Sequence, residues 1–272
     1  MQVKTADGTK LHVIDQSPPG ASNAPIVLWM QGLNAPASAW AVQMAHFGRS
    51  HRSISFDARG VGKSDAPPGP YSTSQLANDA LAVLDALQIS QAHVVGLSLG
   101  GAAAQELAIR SSDRVKTLAL LSTFAHETPR ATALLQAWRA LFPLAHQSPE
   151  YRAAWEKQAY SWLFTETFWK NETNMRAALR FAATQPLQSI DGYRGQIDAA
   201  LAHDTRGRLQ TIATPTLVLH GALDQLASVE GAEEIARQIP GAKLLAIPGV
   251  GHAVNLEAQR SVHAELRELW SR

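Results

Sequence analysis

Ala92-His93-Val94-Val95-Gly96-Leu97-Ser98-Leu99-Gly100-Gly101-Ala102-Ala103-Ala104 is the stretch that decides how this chain is read. Ala92, Val94 and Val95 form an apolar run of the kind that makes a buried strand. Ala102 to Ile109 is alanine-rich and reads as a helix. Ser98 stands between them, with Gly96 two residues before it and Gly100 two after. A serine projected from a sharp strand-to-helix turn needs neighbours without bulk at those two positions. Its own backbone must tolerate strained angles. The helix that follows aims free N–H groups and its positive dipole end at any negative charge forming beside Ser98. Glycine and serine are common residues, so the pentapeptide by itself also reads as a glycine-rich turn without chemistry. A base, an acid and an oxyanion hole elsewhere in the chain decide between the two.

The totals bound the answer. A chain of 272 residues suits one large α/β domain or a core with an insertion. At 46% hydrophobic and 17% charged it can bury a substantial core and is unlike a disordered chain. The net charge is +1, with no block of like charges, so neither nucleic acid nor an anionic membrane is expected as a partner. The absence of cysteine excludes disulfides, thiolate catalysis and Cys-bound metals. Met1-Gln2-Val3-Lys4-Thr5-Ala6-Asp7-Gly8 lacks the apolar run of a signal peptide, and no segment approaches membrane-spanning length. The expectation is a cytoplasmic protein acting on a small molecule, its oligomeric state left open.

Outward from Ser98, apolar strands and helices alternate. Val3 to Ile14 reads as two short strands around the Asp7-Gly8 turn. Strand runs follow at Ala24–Met30, Ser53–Phe56, Val115–Leu121, Thr216–Leu219 and Lys243–Ile247. Amphipathic helices are expected over Ser38–Phe47, Thr73–Leu87, Val229–Ile239 and Leu256–Trp270. Gly62-Lys63-Ser64 invites comparison with a phosphate-binding loop. The glycine that such a loop needs five residues earlier is Asp57, and Pro67, Pro68 and Pro70 follow, so a structured turn is expected instead. From Phe124 the pattern changes. Of 18 aromatic residues, 12 fall between Phe124 and Tyr193. This helical stretch interrupts the alternation for roughly 80 residues, too long for a connecting loop. The expected organisation is a core over 1–123 and 206–272 with a helical cap over 124–205. Most cap aromatics should pack against one another. Trp138, Phe142 and Trp162 are the candidates for lining an apolar substrate pocket over Ser98.

Alternating elements imply a mostly parallel sheet flanked by helices, with functional groups beyond the carboxyl ends of the strands. Three candidates follow strands directly: Ser98, Asp224 in His220-Gly221-Ala222-Leu223-Asp224, and His252 in Gly249-Val250-Gly251-His252. Their order along the chain is Ser, Asp, His. A neutral serine hydroxyl needs a base with a pKa near neutrality, and a carboxylate must hold that base in the right tautomer. His220 reads as a structural hydrogen-bonder. Glu127, after the Val115–Leu121 strand, is the one carboxylate placed to substitute for Asp224. The oxyanion hole should use two backbone N–H groups, from Leu99 after the nucleophile and from Leu33 in the loop after the early strand. No His/Asp/Glu cluster has metal-ligand spacing, and no cofactor is implied.

On these residues the chain resembles the α/β-hydrolase superfamily over nearly its whole length. The likeness rests on Gly96-Leu97-Ser98-Leu99-Gly100-Gly101, Asp57-Ala58-Arg59-Gly60-Val61-Gly62-Lys63-Ser64, His220-Gly221-Ala222-Leu223-Asp224 and Gly249-Val250-Gly251-His252. Within the superfamily it is similar to the capped, cofactor-free group of 3-oxoadipate enol-lactonases and related carboxylesterases. The resemblance implies an α/β-hydrolase fold with a helical cap and a Ser-His-Asp hydrolase of carboxylic esters or lactones, with enol-lactones and acyl-homoserine lactones among the candidates. Hydrolysis of carbon–carbon bonds in ring-cleavage dienones, cofactor-free haloperoxidase or perhydrolase chemistry, and a non-catalytic ligand receptor are the alternatives. Ser98 disfavours relatives with an aspartate nucleophile. Two departures stand out. Gln31-Gly32 replaces the His-Gly of many relatives, and Gln225-Leu226-Ala227 follows Asp224 where many carry a proline.

Overall fold

The computed structural model describes residues 1–20 and 23–271. Eight strands form one sheet: β1 (Gln2–Lys4), β2 (Lys10–Gln16), β3 (Ile26–Met30), β4 (Arg52–Phe56), β5 (Ala92–Leu97), β6 (Val115–Leu121), β7 (Thr216–Gly221) and β8 (Lys243–Ile247). Their spatial order is β1-β2-β4-β3-β5-β6-β7-β8. β1 pairs antiparallel with β2, and β2 with β4. Every pairing from β4 to β8 is parallel. The carboxyl ends of β3, β5, β6, β7 and β8 therefore open on the same edge of the sheet.

Side chains alternate across each strand, so the sheet feeds two cores. Leu28, Ile54, Val94, Leu118, Leu120 and Val218 pack beneath α2 (Thr73–Ala86) and α3 (Leu99–Arg110). Val27, Trp29, Val95, Ala119, Leu121, Leu217 and Leu219 face the opposite side. There they meet Trp40 and α1 (Ala41–Phe47), which contributes Met44 and Phe47. The small face of α3, Ala102, Ala103 and Ala104, is fully buried and lets that helix lie close to the central strands.

Between β6 and β7 the chain forms five α-helices, two short 3-10 helices and no strand; the α-helices are α4 (Pro129–Leu141), α5 (Pro149–Leu163), α6 (Glu166–Lys170), α7 (Glu172–Thr184) and α8 (Ile190–Leu201). Each starts at a side chain that accepts a backbone N–H three residues on: Thr128, Ser148, Thr165, Asn171 and Ser189. The insertion has its own aromatic centre. Phe142 stacks on Tyr193 at 3.9 Å between centroids, and Trp155 meets both edge-on.

After β7 come α9 (Val229–Gln238) and, beyond β8, two helices where the sequence pattern suggests one: α10 (Val254–Glu257) and α11 (Gln259–Trp270). The break at Ala258 frees α10 for other work. Asn255 O accepts from Gln43 Nε2 at 2.7 Å, and Glu257 accepts from both N and Oγ1 of Thr165 in the insertion. The Asp57–Ser64 stretch is a structured turn. Asp57 accepts from the N–H groups of Ala37 and Lys63, while Arg59 is clamped by buried Asp79 and by Asp7.

Three buried histidines make the fold sensitive to acid. Burial lowers the pKa of His93, His203 and His263 from 6.5 to about 4. The unfolded chain then binds more protons than the folded one between those values, so stability is present in full above about pH 6.5 and declines toward pH 4. Thermal unfolding at a series of pH values should show this decline, and His203→Gln should make it shallower. A melting temperature constant across that window would contradict the assignment.

Candidate active site

Ser98 leaves β5 with φ 53° and ψ −121°, a conformation that costs a non-glycine residue about 1–3 kcal/mol. The surroundings hold it there. Ser98 N donates to Leu121 O at 2.9 Å, and Ser98 O accepts from Ala102 N at 3.0 Å and from Thr123 Oγ1 at 2.7 Å. The glycines are required by proximity. A Cβ on Gly96 would lie 2.5 Å from Gly100 O and 2.7 Å from Gly101 Cα, and one on Gly101 would lie 2.6 Å from Thr123 Cβ. A Cβ on Gly100 would collide with the carbonyl oxygens of Met30 and Gln31. Gly32 completes the contact from the β3 side, since its missing Cβ would be 3.2 Å from Ser98 Cβ.

Asp224 and His252 arrive from the ends of β7 and β8. His252 Nδ1 and Asp224 Oδ2 are 2.8 Å apart, with the carboxylate fully buried. An ionised carboxylate only accepts, so Nδ1 carries the proton and Nε2 is left as the basic nitrogen. Asp224 Oδ1 accepts from the N–H groups of Leu226 and Ala227 at 2.8 and 3.1 Å. His220 Nε2 donates to Ala227 O at 2.9 Å and lies 3.3 Å from Asp224 Oδ2. Burial pushes the Asp224 carboxyl up. The charge of His252 and the hydrogen bonds from His220 and His252 outweigh it and hold Asp224 below the ordinary carboxylate range. The turn through Gln225-Leu226-Ala227 thus positions the acid with backbone donors and needs no proline.

Leu33 and Leu99 flank Ser98 in the same cavity, and the loop hydrogen bonds use neither of their N–H groups. Leu99 opens α3, where no earlier helical carbonyl can take its proton. Gln31 stands at the start of the loop after β3. With its amide set to satisfy its neighbours, Gln31 Oε1 accepts from both Nε1 and N of Trp40, at 2.9 and 3.1 Å. That pair fixes the start of the loop carrying Leu33.

A cavity of about 540 Å³ contains Ser98 and His252 and is roofed by the insertion. Its wall is mostly apolar. Trp138 lines it, with its Nε1 unpaired among the described residues. Phe142 and Trp162, expected beside it, do not. Phe142 is consumed in the stack with Tyr193 and Trp155, and Trp162 carries the Arg130 guanidinium 5.3 Å from its ring centre. The aromatic wall is instead supplied by Phe124, Trp155, Tyr160, Phe164, Phe168 and Phe181. Glu127, the alternative acid, lies in the cavity wall and makes no contact with His252. His220 and Thr123 escaped assignment to the site from sequence; only their positions, four before Asp224 and at the end of β6, hinted at it. Among the described residues no group of three or more His, Asp or Glu side chains could hold a metal ion, and no helix is long and apolar enough to cross a membrane.

The sequence profile of the alpha/beta hydrolase fold family matches residues 25–259. This chain belongs to that family. Its α/β-hydrolase relatives include 3-oxoadipate enol-lactonase 2 of Acinetobacter baylyi, 30% identical over 253 residues, or 93% of this chain and 91% of the relative. Among solved structures, a hydrolase from Pseudomonas aeruginosa superposes with a TM-score of 0.88 at 28% identity, covering 100% of this chain and 98% of the other. The enol-lactonase from Burkholderia xenovorans has a TM-score of 0.88 at 27% identity, with 100% of both chains covered. The eight-stranded, mostly parallel sheet with flanking helices is thus the α/β-hydrolase fold, and the protein is a hydrolase of that family.

The tight packing at the turn predicts a sharp contrast between glycines. Gly96→Ala and Gly100→Ala should each cost about 1–3 kcal/mol of stability, because the new methyl meets backbone. Gly231→Ala, in α9, meets nothing closer than 3.8 Å and should be neutral or slightly stabilising. Chemical denaturation of the three variants checks this, and equal effects would contradict it.

Proposed function

We propose that the protein hydrolyses carboxylic esters or lactones through Ser98, His252 and Asp224. The observation that carries this reading is the convergence of a strained Ser98 and an Asp224-bound His252 on one largely apolar cavity. His252 Nε2 takes the hydroxyl proton as Ser98 Oγ attacks the carbonyl carbon. The tetrahedral oxyanion accepts hydrogen bonds from the N–H groups of Leu33 and Leu99. The imidazolium, stabilised by Asp224, gives its proton to the leaving alkoxide as the C–O bond breaks. In a lactone that alcohol stays tethered to the acyl group. Water then attacks the acyl-enzyme, His252 takes its proton, and the acid and free Ser98 are released.

Residues 1–123 and 206–272 act as the core in this proposal, and 124–205 as a cap that selects the acyl portion. Trp138, Trp155 and Phe181 offer an apolar surface to a ring or alkyl chain. The named enol-lactonases among the relatives support a lactone as substrate, and the size of the cavity suits esters of similar bulk.

Assays on short nitrophenyl esters, simple lactones, acyl-homoserine lactones and ring-cleavage dienones test the proposal. Ser98→Ala and His252→Ala should each lower kcat/KM by ~10³-fold or more, and Asp224→Asn by ~10²-fold or more. Undiminished activity in Ser98→Ala would overturn the assignment. Turnover of dienones without turnover of esters or lactones would overturn the substrate class.

A further inference from the structure

One carboxyl group in the cavity has no employment in this chemistry. Glu127 lines the same space as Ser98 and His252, and among the described residues it has no hydrogen-bond partner and no ion pair. It lies just ahead of α4, next to the Thr128 cap. Within α4, Ala131, Leu134, Leu135 and Trp138 recur at helical spacing and line the same cavity. Glu127 stands in the non-helical segment before that stripe, four residues after Thr123, whose hydroxyl holds Ser98 O at 2.7 Å. The cavity that holds the nucleophile therefore carries, in a mostly apolar wall, one carboxyl group with no protein partner among the described residues.

The other ionisable groups of the lining are all satisfied or neutral. His252 is bound to Asp224. On α5, Arg152 pairs with Glu156 at 2.8 Å and also holds the carbonyl oxygens of Ala182 and Gln185. Burial pushes the Tyr160 hydroxyl up to about 12 and raises that of Tyr193 on α8. On Glu127's own segment, His126 lies 3.6 Å from Glu234 of α9, and Arg130 lies over Trp162. None of these supplies Glu127 with a counter-charge. Burial alone pushes its carboxyl up to about 8, so it is mostly protonated at neutral pH.

A carboxyl group that opens on the cavity with no protein partner is free to hydrogen-bond a ligand bound there. We propose that Glu127 is a specificity residue that donates a hydrogen bond to a second oxygen of the substrate, a carbonyl or ether oxygen in the acyl chain beyond the scissile ester. The inference rests on Ser98-dependent hydrolysis as proposed above. It narrows the substrate from a plain apolar acyl group to an oxygen-bearing one. No bond is made or broken at Glu127. Its proton stays on the carboxyl and is shared with the substrate oxygen.

The test is a series of nitrophenyl alkanoates in which a ketone or ether oxygen is moved along the chain, each compared with its all-carbon counterpart. The readout is the ratio of kcat/KM for the two members of a pair within one enzyme. Changes in folded fraction, in the ionisation of His252 and in the chemical step shared by both esters cancel in that ratio. In the wild type one position of the oxygen should be preferred over carbon by about fivefold to tenfold. Glu127→Leu should abolish the preference, and Glu127→Gln, which keeps an N–H donor, should retain it. Raising the pH through about 8 should erase the preference in the wild type as the proton is lost, and leave it in Glu127→Gln.

Absence of any preferred position, or a preference unchanged in Glu127→Leu, would overturn the proposal. So would a stronger preference for an ammonium-bearing acyl chain that grows with pH, since it would make Glu127 an anionic site. Loss of all ester hydrolysis from the wild type would instead refute the Ser98 reading, so the two failures are distinguishable.

Discussion

The amino end of α3 rests on the carboxyl end of β3 with no side chain between them. Gly100 lies under the carbonyls of Met30 and Gln31, Gly101 lies on Thr123, and Gly96 lies on Gly100. Because the helix begins so close to the sheet, Ser98 must turn at φ 53° and its side chain emerges at the sheet edge. The same approach sets the Leu99 N–H beside it and brings Gly32 against its Cβ. The strain of about 1–3 kcal/mol is offset by bonds that the turn itself makes, to Leu121 O, from Ala102 N and from Thr123 Oγ1. Geometry at the proposed nucleophile is thus a consequence of backbone packing, and the parallel strands bring the remaining groups to it.

Polarity in the site is confined in a similar way. Asp224 is removed from water and still anionic, since two histidines and two backbone N–H groups surround it. His252 inherits a fixed tautomer from that carboxylate. The loop that carries His252 is also tied to the insertion, because Ala253 N donates to Leu163 O at 2.9 Å and Glu257 holds Thr165. The helices that shape the cavity and the loop that carries the base are one hydrogen-bonded unit. A shift in α5 or α6 would be felt at His252.

Much of this was legible in the residues. Buried parallel strands are continuous apolar runs, so β3, β5, β6 and β7 announce themselves, and each proposed catalytic side chain follows a strand within a few residues. Ser98 and His252 stand out beside closely spaced glycines, and Asp224 three residues after Gly221, each just beyond a strand. The cavity wall was less legible. A tryptophan or phenylalanine on a helix is marked by periodicity as inward-facing, but the insertion has two inward faces, one toward its own centre and one toward the cavity. Phe142 chose the first through its stack with Tyr193, and Trp138 the second. Pairing partners decide that choice, and they lie about 50 residues away, beyond the reach of local pattern. The break of the last helix at Ala258 was hidden for the same reason, since Gln43 and Thr165 that engage α10 come from distant segments.

The most direct measurement of the central claim is covalent trapping of the nucleophile. An alkyl fluorophosphonate should lose fluoride and leave one phosphonyl group on the protein, mapped by peptide mass spectrometry to Ser98. Labelling should be slowed by ~10³-fold or more when His252 is replaced by alanine. A label on another residue, or an unlabelled Ser98 in protein that still hydrolyses esters, would contradict the account.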